Sequence, residues 1–465
     1  ILFWPVFYSR LGLRAISLPL VAGLSLYAWW NAWPPGKQQT GERSIFWFGL
    51  AGFLAGLGLY TYMAARAVPI FYALFVLYLL LFHRGQFRGR WRGVALFWIV
   101  FILSALPLVV YLWSNPGAEY RISEVDAPLR ALLSGDLQPV LMNLLKIGGM
   151  FGFEGDPLWR QNVAGRPVFD PLLALFFYGG LLLALWRIKD SRYAFILIWL
   201  GVSALPSLVT VDAPSSIRMI NALLVVTIFP VLVINIIVRL FTDLSPLSTK
   251  VAYLLGLVLL IAQIWWTAQG VFHSWPKNQE VQFVWQAALT DMAAYLDESP
   301  ADTPVAIGGW SPATLDAPTM YLSMKRHDLQ PRYFGSDSMT EPVSTVILPG
   351  WGDALSGDGR AAVPEVRLFR PTIRELSPEI ETQLSVWGST PQRLGSFVLY
   401  ELSGPAEIQD GVVAAERFDD QIELAGYTLP SNLAQCAAEE CTILSYWRIL
   451  QPVEEPRRFY LHALD

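Results

Sequence analysis

The sequence predicts an α-helical polytopic membrane protein followed by an outer α/β domain and a strand-rich segment. Eight long apolar stretches fill residues 1–270. Only 15% of all residues are charged, against ~25% in a soluble protein. The loops between the stretches alternate between two kinds. One kind carries scattered Arg and Lys with little else, and the other carries Arg beside acids, aromatics, Pro and Gly, as expected for the two sides of a membrane. These three observations predict a multi-pass bundle.

The apolar stretches are long enough to be membrane spans, because a helix needs ~20 mostly apolar residues to cross the hydrocarbon core. A large soluble helical core is the alternative, and eight stretches within 270 residues disfavour it. The predicted spans are 13–33, 45–63, 67–82, 94–113, 168–187, 193–211, 217–238 and 251–270.

Four loops define the predicted cytoplasmic side, because they carry Arg and Lys with few other charges. The run 83–93 is the strongest indication, with four Arg and no acid. The basic residues of these loops are Lys37, Arg43, Arg84, Arg88, Arg90, Arg92, Arg187, Lys189, Arg192, Arg239 and Lys250.

The other side of the membrane then carries 1–12, the turn at Arg66, the loop 114–167, the turn 211–218 and everything after 270. This side is expected to be extracytoplasmic, in a bacterial cell membrane. The sequence begins at Ile1 without Met and ends in a strand-like segment. We therefore expect a fragment, and if the full protein starts in the cytoplasm, an odd number of spans is missing upstream.

Three domains are predicted. Residues 1–272 form the transmembrane bundle, 273–404 an outer α/β domain with strands at 304–309 and 344–350, and 405–465 an incomplete β-sandwich. A structural cap is the simplest role for the two outer domains. Cys436 and Cys441 fit either a disulfide or two free thiols.

The first candidate site lies at the outer end of a span, in GLGLYTYMAARAVP (56–69). It holds Tyr60, Tyr62 and Arg66, and the last two are four residues apart on one helical face. Arg grips phosphate through a planar fork, so an anionic lipid contact fits. An interfacial aromatic belt with a snorkelling Arg fits equally well.

The second candidate site is the long outer loop. Residues 127–150 are predicted to form an amphipathic helix on the membrane. The next segment carries acids, an amide, an indole and an arginine, which suit sugar-phosphate recognition, although a capped structural loop is the alternative. Those residues are Glu154, Asp156, Trp159, Arg160 and Asn162, and the same segment also holds Arg166 and Asp170 just before the next span.

The third candidate is Arg218, in the first turn of a predicted span. A cation there opposes the helix dipole, so an anionic partner is expected. A fourth candidate is YSRLGLR (8–14), where Arg10 and Arg14 lie on the same outer side; charge is not needed there for orientation, so an anionic partner is again expected.

The sequence lacks the motifs of several common kinds of catalytic or binding site. The sequence has no P-loop, HExxH, CxxC or GxSxG motif, and its four His are scattered. A His-based metal site is therefore not expected, while a divalent metal held by other ligands stays open. A net charge of −5 argues against nucleic acid as a partner.

The motifs FYSRLGLRAISLPL, GLGLYTYMAARAVP, GDPLWRQNVAGRPVFDP and DAPSSIRMINAL occur in this order among the spans. In this combination the chain resembles the family-39 membrane glycosyltransferases, which are related to protein O-mannosyltransferases and bacterial aminoarabinose transferases. The segment 271–296 extends the resemblance, which covers about 1–300.

The resemblance implies a GT-C-like bundle that transfers a sugar from a polyprenyl-phosphate donor to a protein, lipid or cell-envelope glycan on the outer face. It places Arg66 and Arg218 near the donor phosphate, and Asp156, Trp159, Arg160 and Asn162 near the sugar or acceptor. The catalytic acid of the family lies in a first outer loop that this sequence does not include, so the general base stays unassigned.

Two other functions fit parts of the sequence. A transporter or lipid flippase with an outer domain would also bind membrane lipids, although no internal repeat is visible. A non-catalytic membrane scaffold with a sugar-binding ectodomain would not need Arg66 or Arg218.

Overall fold

The computed structural model describes most of the chain, which divides into two compact units, 1–281 and 282–465. The described residues are 2–33, 42–118, 124–244, 246–299, 302–335, 342–351, 365–403, 411–418, 420–428 and 443–451.

All regular secondary structure in the described part of the first unit is helical. Short 3₁₀ helices at Arg14–Ile16, Met63–Arg66 and Ile220–Leu224 precede three of the long helices. A π-helical turn, Gln269–Ser274, follows the last one. The helices are α1 (Phe3–Leu11), α2 (Ser17–Ala32), α3 (Glu42–Gly58), α4 (Ala67–Phe82), α5 (Arg84–Arg88), α6 (Trp91–Ser114), α7 (Ala127–Leu133), α8 (Gln138–Gly149), α9 (Pro171–Trp186), α10 (Ser191–Leu208), α11 (Ile228–Leu244) and α12 (Pro246–Ala268).

Five helical segments in the described part are long and apolar enough to cross a membrane, and the chain is an integral membrane protein. Eight spans were expected. The helices in the stretches 13–33, 45–63 and 168–187 are only 16, 17 and 16 residues long. The stretch 217–238 is among the five, although it begins as a 3₁₀ helix and α11 begins only at Ile228; there the indole Nε1 of Trp199 donates to the Asn221 carbonyl at 2.8 Å.

Close helix packing holds the bundle together. A side chain at Gly52 of α3 would overlap the carbonyl of Phe97 in α6, so these helices approach with no side chain between them. Small residues at such crossings are typical of membrane helices. Trp29 is fully buried beside them and meets Tyr72 and Phe97 with ring centroids 5.0 Å apart in each pair.

The amphipathic segment 127–150 forms two helices rather than the single helix expected. Gly135 has φ +95° between α7 and α8, a backbone conformation that ends α7. Leu133, Leu141 and Leu145 are exposed on these helices, whereas Asn143 is buried. The exposed leucines keep the apolar face that the sequence predicts.

The second unit contains a mixed five-stranded sheet of order β2-β1-β3-β5-β4. Strand β1 is parallel to β2 and β3, whereas β5 is antiparallel to β3 and β4. The strands are β1 (Val305–Gly309), β2 (Arg332–Gly335), β3 (Val366–Pro371), β4 (Gln392–Leu394) and β5 (Phe397–Leu402). The helices are α13 (Gln279–Val284, across the division between the units), α14 (Ala287–Glu298), α15 (Ala317–Ser323) and α16 (Pro378–Val386).

The strand expected at 344–350 is absent from this described segment. Val343 forms only an isolated bridge with Leu376, and 344–350 is irregular chain. Its apolar residues nevertheless pack on the sheet core, so burial rather than pairing explains the apolar run.

A second sheet joins β6 (Gly411–Phe418), β7 (Ile422–Thr428) and β8 (Ser445–Ile449) in antiparallel order. Ala425 and Tyr446 pack into the core of the five-stranded sheet. A complete β-sandwich stays a prediction, and Cys436 and Cys441 lie outside the described residues.

Candidate functional site

The loop between α8 and α9 keeps its shape through its own polar groups. The amide nitrogen of Asn162 donates to the carbonyls of Asp156 (3.1 Å) and Arg166 (2.8 Å). Gly155 passes so close to the Arg166 carbonyl that a side chain would overlap it. Asn162 therefore fixes the loop rather than pointing at an open surface.

Asp156 joins this loop to the turn 209–219. Its Oδ2 accepts hydrogen bonds from the backbone N and the Oγ of Ser216, both at 2.7 Å, and its Oδ1 accepts from the Leu158 backbone N at 3.0 Å. The Tyr8 hydroxyl lies 2.9 Å from the same Ser216 Oγ. Asp156 is completely buried, and burial raises the pKa of its carboxyl despite these donors. Asp156 therefore connects α1, the loop and the turn.

Arg166 anchors the other end of the loop. Its guanidinium carbon lies 4.5 Å from the ring centroid of Phe3 and 3.8 Å from that of Trp266. Its Nη2 donates to the Trp266 carbonyl at 2.8 Å, and burial lowers its pKa to about 10. Nearby, the indole Nε1 of Trp275 donates to the Trp159 carbonyl at 2.6 Å. The loop is thus built into the bundle from both sides.

Arg218 is held in place by one end of its guanidinium. Nη1 donates to the Thr210 hydroxyl at 3.0 Å and to the Val211 carbonyl, while Asn143 of α8 donates to the Leu208 and Thr210 carbonyls at 3.0 Å each. Among the described residues, Nε and Nη2 of Arg218 have no hydrogen-bond partner. Partial burial lowers the pKa of Arg218, which nevertheless stays cationic at neutral pH.

Three arginines from distant parts of the chain act on the hydroxyl of Tyr62. Burial raises the pKa of this half-buried phenol, and the charges of Arg218, Arg14 and Arg160 oppose the rise. Arg14 and Arg160 are exposed and form no ion pair within the described ranges. We call Arg14, Arg160, Arg218 and Tyr62 the arginine cluster. Guanidinium groups with free donors bind phosphate or carboxylate through charge-assisted hydrogen bonds.

The structure brings together five of the nine residues that the sequence predicts to bind substrate, which are Tyr60, Tyr62, Arg66, Glu154, Asp156, Trp159, Arg160, Asn162 and Arg218. Charge interactions connect Tyr62, Arg160, Arg218 and Asp156, and Asn162 bonds to the Asp156 carbonyl. Trp159 is half-buried beside Arg160, and its carbonyl rather than its ring makes the hydrogen bond described above. Glu154 is exposed at the beginning of the loop, and Arg66 is exposed just before α4.

Tyr60 was expected near an anionic lipid, and in the structure its hydroxyl bonds to the backbone of α6. Its hydroxyl accepts from the Leu108 backbone N at 3.2 Å and donates to the Ser104 carbonyl at 3.0 Å. Those two groups would otherwise bond to each other in α6, one position after Pro107. The hydroxyl therefore bridges an opened helical turn.

Sequence reasoning missed the buried partners of the site. Tyr8, Gln161 and Ser216 do not stand out by type or spacing, and they act only through contacts across more than 50 residues. Arg14 did carry a signal, because it is an arginine on the side where orientation requires none. In the described part of the chain, no three His, Cys, Asp or Glu residues come together as metal ligands would.

Comparison with known proteins gives no family-model match and no match among curated proteins. Among solved structures, an oligosaccharyltransferase AglB from Archaeoglobus fulgidus with an inhibitory peptide and a dolichol-phosphate matches with a TM-score of 0.35 and 16% identity. The match covers 64% of this chain and 45% of that one. The apo form gives a TM-score of 0.32 at the same identity and coverage.

A third solved structure is ArnT from Cupriavidus metallidurans bound to undecaprenyl phosphate. It matches with a TM-score of 0.39 and 12% identity over 84% of this chain and 76% of that one. The chain spans less than half the length of the two AglB structures.

Proposed function

We propose that this chain belongs to a membrane glycosyltransferase that takes a sugar from a polyprenyl-phosphate donor, and that the arginine cluster binds the donor phosphate. The observation that carries the proposal is the placement of Arg218, whose guanidinium is held through Nη1 alone, with no salt bridge among the described residues; the charges of Arg14 and Arg160, both exposed, act on Tyr62 together with that of Arg218. The carboxylates of Asp212 and Asp156 also act on Arg218, but the Asp156 oxygens already accept from Ser216 and Leu158. A phosphate would supply the arginines with a directly bonded anion, which a cationic group near a membrane favours.

The chemistry of sugar transfer matches this cluster. When an acceptor hydroxyl attacks the anomeric carbon, the C–O bond to the lipid phosphate breaks and negative charge develops on the departing phosphate. Arginine forks stabilise that charge, which lowers the barrier as well as binding the donor. The half-buried Tyr62 supplies a neutral O–H donor at the same place.

Asp156 acts as a positioning residue in this proposal. It fixes the Ser216 end of the turn that carries Arg218, and its oxygens are already occupied by three donors. The base that deprotonates the acceptor stays unassigned. The acceptor, the donor sugar and the outer-face location are part of the proposal through the family resemblance alone.

Undecaprenyl phosphate binding to the purified chain in detergent tests the site. Loss of a charge-assisted contact is worth about 1.5–3 kcal/mol, so Arg218→Ala and Arg160→Ala are each expected to weaken binding about 10- to 100-fold. Arg218→Lys keeps the charge but loses the fork, so we expect an intermediate loss.

Arg88→Ala is the matched control, because Arg88 is an exposed arginine of α5 outside the cluster. Binding that is unchanged in the Arg160 and Arg218 variants would remove the site assignment. A panel of polyprenyl-phosphate hexoses then tests transfer in the full-length protein. Lipid translocation without sugar transfer would favour a flippase.

A further inference from the structure

A separate groove lies in the membrane unit, with a volume of about 760 Å³. That volume falls within the ~300–1,000 Å³ range of ligand pockets. Its walls come from α2, α9, α10 and α11. Leu26, Leu183, Ile196 and Leu232 line its apolar part, and Arg187, Arg192 and Arg239 line its polar part. All three arginines belong to loops or helix ends predicted to be cytoplasmic.

One helical face of α11 shows how the groove changes along its length. Leu232, Asn235, Ile236 and Arg239 follow the i, i+3, i+4, i+7 spacing of one face, so this face is apolar first and basic last. On α9, Leu183 and Arg187 repeat the order one turn apart. An amphiphile with an anionic head and an apolar tail has the same polarity.

The arginines differ in how far they are already neutralised. Arg192 forms a salt bridge with Asp190 at 2.7 Å. Arg187 donates only to the Tyr193 hydroxyl at 3.3 Å and lies over the rings of Trp186 and Tyr193. Arg239 has no ion pair within the described ranges, even with Asp243 one turn further along α11. Two positive charges thus face the groove uncompensated there.

We propose that this groove binds an anionic diacyl phospholipid of the adjoining leaflet, with its phosphate between Arg187 and Arg239 and an acyl chain along α11. Charge complementarity favours this occupant. A polyprenyl phosphate is the alternative source of the same head group, and the test distinguishes the two.

The experiment uses the full chain in phosphatidylcholine vesicles with a small fraction of a diazirine-bearing phosphatidylglycerol, followed by peptide mapping. Each basic residue near an anionic surface adds about a fivefold preference, so two arginines predict about a 25-fold preference over labelled phosphatidylcholine. Labelling is expected on peptides of α9 and α11.

Arg187→Gln with Arg239→Gln is expected to abolish that preference, whereas Arg84→Gln with Arg88→Gln should keep it. Equal labelling by both lipids in the unaltered protein would overturn the proposal without any variant. Unchanged preference in the Arg187 and Arg239 double variant would also overturn it. Displacement of the label by undecaprenyl phosphate, but not by unlabelled phosphatidylglycerol, would reject the phospholipid as occupant.

Discussion

At the scale of single residues, burial of Asp156 has a cost that depends on pH. Because burial raises its pKa above the ordinary 3.8, protonation favours the folded state. The stabilising effect of this group is complete below 3.8 and is lost as the pH rises through the raised folded-state pKa. Ionisation of the Asp156 carboxyl, which connects the elements of the site, therefore lowers the free energy of unfolding.

Asp156→Asn tests this linkage. The variant places an amide NH₂ against at least one N–H or O–H donor, so we expect a loss of about 1–3 kcal/mol in the free energy of unfolding. Thermal unfolding should show the gap between the unaltered protein and the variant widening as the pH falls from neutral toward 4. Glu154→Gln, in the exposed part of the same loop, is the matched control and should change the free energy of unfolding at neutral pH by much less than Asp156→Asn. A gap that narrows on acidification would contradict the raised pKa.

Residue type and predicted side of the membrane singled out Arg66, Arg160 and Arg218, because an outer arginine that orientation does not require is expected to have an anionic partner; the structure brings Arg160 and Arg218 together with Tyr62, and Arg66 lies outside this cluster. Those two criteria were not enough to assign roles. Asn162 and Asp156 were expected near the sugar or acceptor, and the structure shows the Asn162 amide nitrogen and the Asp156 carboxyl oxygens forming hydrogen bonds within the protein. A polar side chain in a loop satisfies either a ligand or the backbone, and only the fold decides between them.

At the scale of elements, the contact of α3 with α6 depends on Gly52. Gly52→Val would insert a side chain where the Phe97 carbonyl lies, so we expect the helices to separate at a cost of about 1–3 kcal/mol. Thermal unfolding in detergent measures the loss. Gly201→Ala in α10 is the matched control, since no neighbouring atom lies within 4 Å of an added Cβ. An equal effect of both substitutions would show that close packing is not the cause.

The paired helices α7 and α8 carry a prediction about the membrane surface. Leu145 is 71% exposed on α8, and we expect it to lie among the lipids. A nitroxide at 145 in vesicles should be more accessible to oxygen than to a water-soluble nickel chelate. A nitroxide at Asp136, in the turn between the helices, should show the opposite order. The same preference for the nickel chelate over oxygen at both positions would show that Leu145 of α8 lies in water.

Helix positions followed from apolar runs, and the run 67–82 coincides with α4. Helix interruptions did not. The break before Ile228 depends on a hydrogen bond from Trp199, and the break in 127–150 depends on the conformation of Gly135. Hydropathy along the sequence does not predict such breaks, because it reports neither a hydrogen bond from a distant residue nor the φ angle of one glycine.

At the scale of the whole molecule, the orientation predicted from the arginines is open to direct test. In a chain with Cys436→Ser and Cys441→Ser, single cysteines at 154 and 88 should lie on opposite sides. A membrane-impermeant maleimide added to intact cells should label Glu154→Cys, and Arg88→Cys only after permeabilisation. Permeabilised cells provide the control for access. Labelling of position 88 alone in intact cells would reverse the orientation.

The arginine cluster draws on three regions, around residues 14, 160 and 218, that meet only when the bundle is complete. On the proposed function, bound lipid phosphate would therefore hold together segments whose arginines otherwise repel one another. At a ligand concentration of 100 times its Kd, binding adds about 2.7 kcal/mol to folding stability. The lipid carrier would then also act as an assembly factor, retaining chains whose insertion has finished and leaving unfinished ones to quality control.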